Sequence, residues 1–224
     1  MSHRGPRRAE AENNDRALLR AAREVLATDG AHASVAAIAA RAGVGIGSLY
    51  RRYRSKEELF QHLCAVALDQ WLEFAEQGLA HHDPWDGLVH YVESSIDVGP
   101  GSLAPIAGTI EVTEEMAAKA IRSDEAVDAL VSRAHAAGVL RPDATAIDLS
   151  LLIEQLSKSP LVEQLTSQGH DDLAEAALNA RRRLTAIALD GLRAPAWRPL
   201  PGAPPTGDLF TQRWATPDAI PPVS

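Results

Sequence analysis

Apolar residues recur along this chain at three- and four-residue intervals, the periodicity of helices with one buried face. Leu18, Ala22 and Val25, with Leu19 and Leu26 beside them, form one stripe and predict a first helix over about 14–28. Asp29-Gly30 ends it, since glycine takes the left-handed cap conformation without a steric penalty. Ser34 is an N-cap for a second helix in which Val35, Ile38, Ala39 and Ala42 fall at i, i+3, i+4 and i+7. Gly43 stops that helix, and Val44 reads as a core plug in the turn. A third helix is predicted over about 46–53 with Leu49 and Tyr53 inward, and Ser55 opens a fourth, with Glu58 completing a capping box. The stripe of the fourth runs through Leu59, Leu63, Val66, Gln70 and Trp71 to Phe74, so this helix leaves one unit and enters another.

The helical pattern continues beyond Gly78. Asp83-Pro84 marks a start, because proline at the first helical position gives up only an orphan donor. Gly99-Pro100-Gly101 is a break, and a stretch over about 103–121 is predicted with an interruption near Gly108. Ser123 reads as the cap of a separate helix ending at Ala137 before Gly138. Thr145 and Asp148 announce a helix over 147–158, and a last long helix fills about 171–192. Eight of the fourteen prolines lie from Ala194 onward, which predicts an extended tail, with Trp197, Phe210 and Trp214 available to dock part of it. No strand pattern or internal repeat is visible. The reading is all-α, divided into a disordered arm (1–13), a three-helix head (14–60), a larger helical body (61–193) and a proline-rich tail (194–224).

Charge refines this picture. The chain carries a net −8, yet residues 1–60 hold 11 Lys and Arg against 7 Asp and Glu, while the rest holds 11 against 23. A basic head on an acidic body permits phosphate contact at one end and discourages it elsewhere. Cys64 is the lone cysteine, so no intramolecular disulfide can form and a reducing compartment is expected. The N-terminal residues lack the apolar core of a secretory signal, and no run reaches the roughly 18 apolar residues of a membrane span. A cytoplasmic protein without a membrane partner is predicted.

Residues 34–60 carry the chemistry. A helix, a glycine turn and a short helix crowded with tyrosine and arginine form a helix-turn-helix, which lays its second helix in the major groove of DNA. Gly45 and Gly47 remove side chains where backbone would approach the duplex. Ser48 and Tyr50 supply hydroxyl donors for phosphate oxygens, and Arg51 and Arg52 can reach a phosphate or a guanine edge. Lys56 lies in the first turn of the fourth helix, where its charge and the free N–H groups act together on a phosphate.

The run A-x-x-A-G-V-x-x-G-S-L-Y-x-x-Y-x-S-K-E-x-L, from Ala39 to Leu59, resembles the DNA-binding signature of the TetR family of bacterial repressors, and the likeness extends over about 15–63. The resemblance implies a homodimer with DNA-binding heads and helical ligand domains, in which the last two long helices pair with those of the partner. It implies a phosphate contact for Ser34, groove-facing positions for Ile46, Gly47 and Arg51, and phosphate positions for Tyr50, Arg52 and Lys56. Two departures stand out: Ala36 where some relatives carry a base-reading polar residue, and Arg52 in place of a frequent histidine. Direct readout is therefore expected from Arg51 and from Ile46 against thymine methyls, with DNA shape adding the rest. The implied function is a repressor released from a palindromic DNA operator by a small-molecule effector.

Other readings are weaker. GVGIGS follows a helix rather than a strand, which argues against a nucleotide-binding loop. His81-His82 and His62 with Cys64 lack metal-ligand spacing, and no cofactor is predicted. No nucleophile is grouped with a base, so an enzyme is not expected. A protein-interaction module is disfavoured by the clustered arginines. Trp71, Phe74, Trp85, Tyr91, Met116 and Ile153 are candidate walls of an effector pocket, with His90, Glu93 and Glu111 as polar anchors.

Overall fold

The computed structural model describes residues 6–98, 103–158, 161, 164–165, 168–196 and 198–214. Among these the chain forms nine helices: α1 (Pro6–Asp29), α2 (Val35–Ala42), α3 (Ile46–Arg52), α4 (Lys56–Ala80), α5 (Pro84–Asp97), α6 (Glu114–Ala136), α7 (Ala146–Ser157), α8 (Asp171–Leu192) and α9 (Asp208–Trp214). The described residues contain no strand, only an isolated bridge between Leu140 and Arg193.

Two apolar cores organise them. The first gathers Leu18, Leu19, Leu26, Ile38, Leu49, Tyr53 and Phe60 from the head with Leu63, Leu103, Ile106, Ile110 and Met116 from the body. The second is built from Trp85, Leu88, Tyr91, Val92, Leu130, Val131, Leu149, Ile153 and Leu189. As its long stripe predicts, α4 runs through both, contributing Leu59 to Ala67 to the first and Ala75 to the second. Its 25 residues make a rod about 37 Å long.

The crossing of α4 with α5 depends on glycine. A Cβ on Gly87 would sit 2.2 Å from the Gly78 carbonyl oxygen, and one on Gly78 would sit 2.6 Å from the Gly87 carbonyl oxygen. Backbone therefore touches backbone. Asp83 fixes the start of α5, its carboxylate accepting from the Trp85 and Asp86 N–H groups at 2.7 and 3.1 Å.

Several boundaries differ from expectation. α1 begins at Pro6, so residues 6–13 are helical rather than a disordered arm; proline suits a first helical position and Ala-Glu-Ala favours continuation. The helix predicted from 103 starts only at Glu114, behind a 3-10 turn at Ala104–Ile106, because Pro105 and the positive φ of Gly108 interrupt it. Ser123 caps nothing. It lies inside α6 on the buried stripe formed by Met116, Val127, Leu130 and Ala134, and Thr113 is the cap. Thr145 and Asp148 do form a complete capping box on α7. The tail contains α9, since prolines are absent between Pro205 and Pro217. Its Arg213 pairs with Glu154 of α7 at 3.1 and 3.0 Å, and Trp214 packs against the first core. The Gly99–Gly101 break and Trp197 lie outside the described residues.

Candidate nucleic-acid interface

The turn between α2 and α3 is made by Gly43 at φ 68° and ψ 24°, with its N–H and that of Val44 closing onto the last carbonyls of α2. Val44 is not the expected core plug: it is 37% exposed, and Leu49 and Tyr53 fill that space. These two residues anchor α3, and the rest of the helix faces outward. Ile46 is 43% and Tyr50 54% exposed, and Gly47, Ser48, Arg51 and Arg52 are exposed beside them.

The two glycines of this helix start have room for side chains. Gly45 holds an ordinary φ of −68°, and nothing lies within 4 Å of where its Cβ would be. A Cβ on Gly47 would meet only the Arg51 guanidinium, at 3.7 Å. Folding does not require glycine at either place.

The cationic and hydroxyl groups have defined partners. Ser34 Oγ accepts from the Ala37 N–H at 3.0 Å, leaving its own proton for an incoming acceptor. Ser55 caps α4 by accepting from the Glu58 N–H at 3.0 Å, but the box is not reciprocal: Glu58 accepts from the Arg54 N–H at 2.6 Å instead of reaching Ser55. Lys56 Nζ donates to the Ala31 carbonyl at 3.2 Å and lies 5.2 Å from the Phe60 ring centre, using one of three donors.

Arg52 meets a residue that the sequence reading missed. Its two terminal nitrogens donate to the Asp15 carboxylate at 2.7 and 2.9 Å, and this hydrogen bonding raises the guanidinium pKa. Asp15 lies on the polar side of α1, 37 residues away, and nothing local in the sequence points to the contact. His62 Nε2 stands 3.2 Å from the same carboxylate, in ion-pair range but without hydrogen-bond geometry. Tyr53 stacks near His62 at 5.2 Å, and burial pushes its phenol up to about 12.

Behind this surface, Arg23 of α1 is buried against α4, where its guanidinium donates to Gln70 at 3.3 Å. Burial lowers its pKa to about 10 and pushes the neighbouring Cys64 thiol up to about 12.

The candidate effector residues are divided. Trp85, Tyr91 and Ile153 belong to the second core with Phe74 packed against it, Met116 belongs to the first, and Trp71 is half-buried. His90 bonds Gln77 at 3.0 Å and stacks on His81, while the Glu111 backbone bonds Gln61 and Glu57 of α4. Glu93 lines an open cavity of about 160 Å³ with Ile96, Asp97, Arg181, Arg182 and Thr185. A drug-sized ligand needs about 300–1,000 Å³. Among the described residues, no three His, Cys, Asp or Glu side chains gather where they could hold a metal ion.

Residues 18–63 match the family described as bacterial regulatory proteins, tetR family. The head of the chain is that of the tetR-family regulators. The match ends within α4, and structural likeness extends over the body as well. The TetR-like transcriptional regulator LfrR from Mycobacterium smegmatis, in complex with proflavine, is 25% identical with a TM-score of 0.51, covering 82% of this chain and 95% of that one. A TetR transcription regulatory protein from Mycobacterium vanbaalenii shares the fold at 20% identity and a TM-score of 0.52, covering 84% of this chain and all of its own. No curated protein sequence matches the chain. The matched residues run from within α1 into α4, and no helix among the described residues is long and apolar enough to cross a membrane.

Proposed function

We propose that this protein is a cytoplasmic, dimeric repressor that binds a palindromic DNA operator through α3 and is released by a small-molecule effector in its body. The observation that carries the reading is the outward face of α3, where Ile46, Tyr50 and Arg51 stand open above a helix pinned by Leu49 and Tyr53. On this reading Ser34, Tyr50, Arg52 and Lys56 meet phosphates, Gly45 and Gly47 admit the duplex, Ser48 adds a hydroxyl, and Ile46 and Arg51 face bases. Residues 14–60 are the DNA-binding unit and 61–193 bind effector and partner. The protein is not an enzyme. The proflavine bound by LfrR supports a small-molecule effector here.

A dimer is supported by α8, which carries two apolar faces. One packs on the body through Ala177, Leu189 and Leu192. The other shows Leu173, Leu184 and Ile187 to solvent at 46, 57 and 63% exposure, with Ala180 exposed between them. Their spacing of seven, four and three residues makes one seam. A gel shift with fragments upstream of the protein's own gene tests the reading, with footprinting to reveal two symmetric half-sites. An absence of retarded fragments at low salt sinks DNA binding, and a single asymmetric half-site sinks the dimer.

A further inference from the structure

We propose that Asp15 is a positioning residue for DNA binding: it holds Arg52 in a neutralised pose, and a DNA phosphate and the Asp15 carboxylate exchange for the same guanidinium. The inference rests on the reading that α3 binds DNA. The two-point contact at 2.7 and 2.9 Å occupies both terminal nitrogens of Arg52. An arriving phosphate therefore meets an ion pair, not a free cation.

The geometry says which partner moves. The Asp15 side chain is 15% exposed and the Arg52 side chain 46%, so the carboxylate is fixed under the surface while the guanidinium can swing toward solvent. Departure of Arg52 would ordinarily strand a partly buried carboxylate, at a steep cost. His62 removes that obstacle. Its Nε2 is buried without a hydrogen bond, 3.2 Å from Asp15 Oδ2, and serves as the replacement partner when Arg52 leaves. Tyr53, whose ring lies 5.2 Å from both the Arg52 guanidinium and the His62 ring, completes the cluster between α1, α3 and α4. Affinity is thereby set below what the arginine alone would give, and Asp15 and His62 set by how much.

The test uses the full chain and a random-sequence 30-base-pair duplex, read by fluorescence anisotropy over a salt series. Asp15→Asn keeps the shape and removes the charge, and should tighten binding by roughly threefold to tenfold with an unchanged salt slope, since the same phosphate contact forms. Arg52→Ala should lower the slope by about one. In the Arg52→Ala background, Asp15→Asn should change affinity less than about twofold; a gain as large as in the parent would assign the effect to general charge repulsion and overturn the proposal. Arg52→Lys reads the exchange without touching Asp15. Lysine keeps the charge but cannot form the fork, so it should bind at least as tightly as the parent, and clearly weaker binding overturns the exchange. If the parent binds and Asp15→Asn leaves its affinity unchanged, this inference alone fails. If the parent does not bind duplex even at low salt, DNA binding itself fails, and the inference with it.

Discussion

Gly47 offers a way to separate the demands of folding from those of the proposed DNA contact. Its Cβ site is open to within 3.7 Å of the Arg51 guanidinium, an ordinary contact, and its backbone is helical. Alanine there should raise stability by about 0.5–1 kcal/mol and, on the proposed reading, weaken duplex binding, because it adds bulk to the face that would meet DNA. Thermal melts and anisotropy read the two effects apart, and a variant that binds DNA undiminished would refute the role given to this glycine. Its neighbour Arg51 should specify sequence: Arg51→Ala should change the selected consensus at a cost of roughly 1–3 kcal/mol, whereas Lys56→Ala should weaken all sequences alike. Recovery of the parental consensus by the Arg51 variant in site selection would overturn that assignment. Arg23 concerns stability alone. Burial lowers its pKa to about 10, so the fold holds the charge at a cost through neutral pH, and that cost lessens only as pH rises past about 10. Arg23→Met should therefore stabilise the protein by on the order of 1–3 kcal/mol, and a lowered melting temperature would show that the Gln70 hydrogen bond outweighs desolvation. Residues with local signatures, such as Ser34, Leu49 and Gly43, were readable from the chain. Asp15, Arg23 and Glu58 were not, because their roles are set by contacts with other helices or, for Glu58, by which of two adjacent N–H groups its carboxylate reaches.

At the scale of elements, the apolar pattern predicted α2, α3, α4, α7 and α8, and three of them carry a side-chain cap of their own in Ser34, Ser55 and Thr145. It failed at α6, where Ser123 has the local form of a cap but occupies a core position between Met116 and Val127. It failed again in the tail, where the density of prolines concealed a proline-free window long enough for α9. The α4–α5 crossing was equally hidden, as neither Gly78 nor Gly87 breaks its helix. Gly87→Ala should cost about 1–3 kcal/mol or more, since the clash is with backbone and one helix must move away from the other. A denaturant midpoint equal to the parent's would show that the two helices slide apart freely.

Over the whole molecule, α4 joins Lys56, a proposed phosphate contact, to both cores, reaching Ala75 in the second. A close-packed helix passes displacement along its length, because its neighbours resist gradual deformation. The body end of α4 is held to α5 by backbone contact at Gly78 and to α6 by the Arg133 guanidinium, which donates to the Leu79 carbonyl at 2.7 Å. The head end is held by Leu59, Phe60 and Leu63 against α1 and α3. An effector that spreads the second core must therefore move α4 as a unit and carry the head with it. In a dimer that motion changes the separation of the two α3 helices, which a palindromic operator fixes at one helical turn or its multiples. Effector and operator should then bind in opposition, each weakening the other by the same factor, as linkage requires. Titration of an effector found by a thermal-shift screen, with and without operator, measures that factor directly. Equal affinity in both titrations would mean that the body serves to dimerise and that α4 transmits nothing.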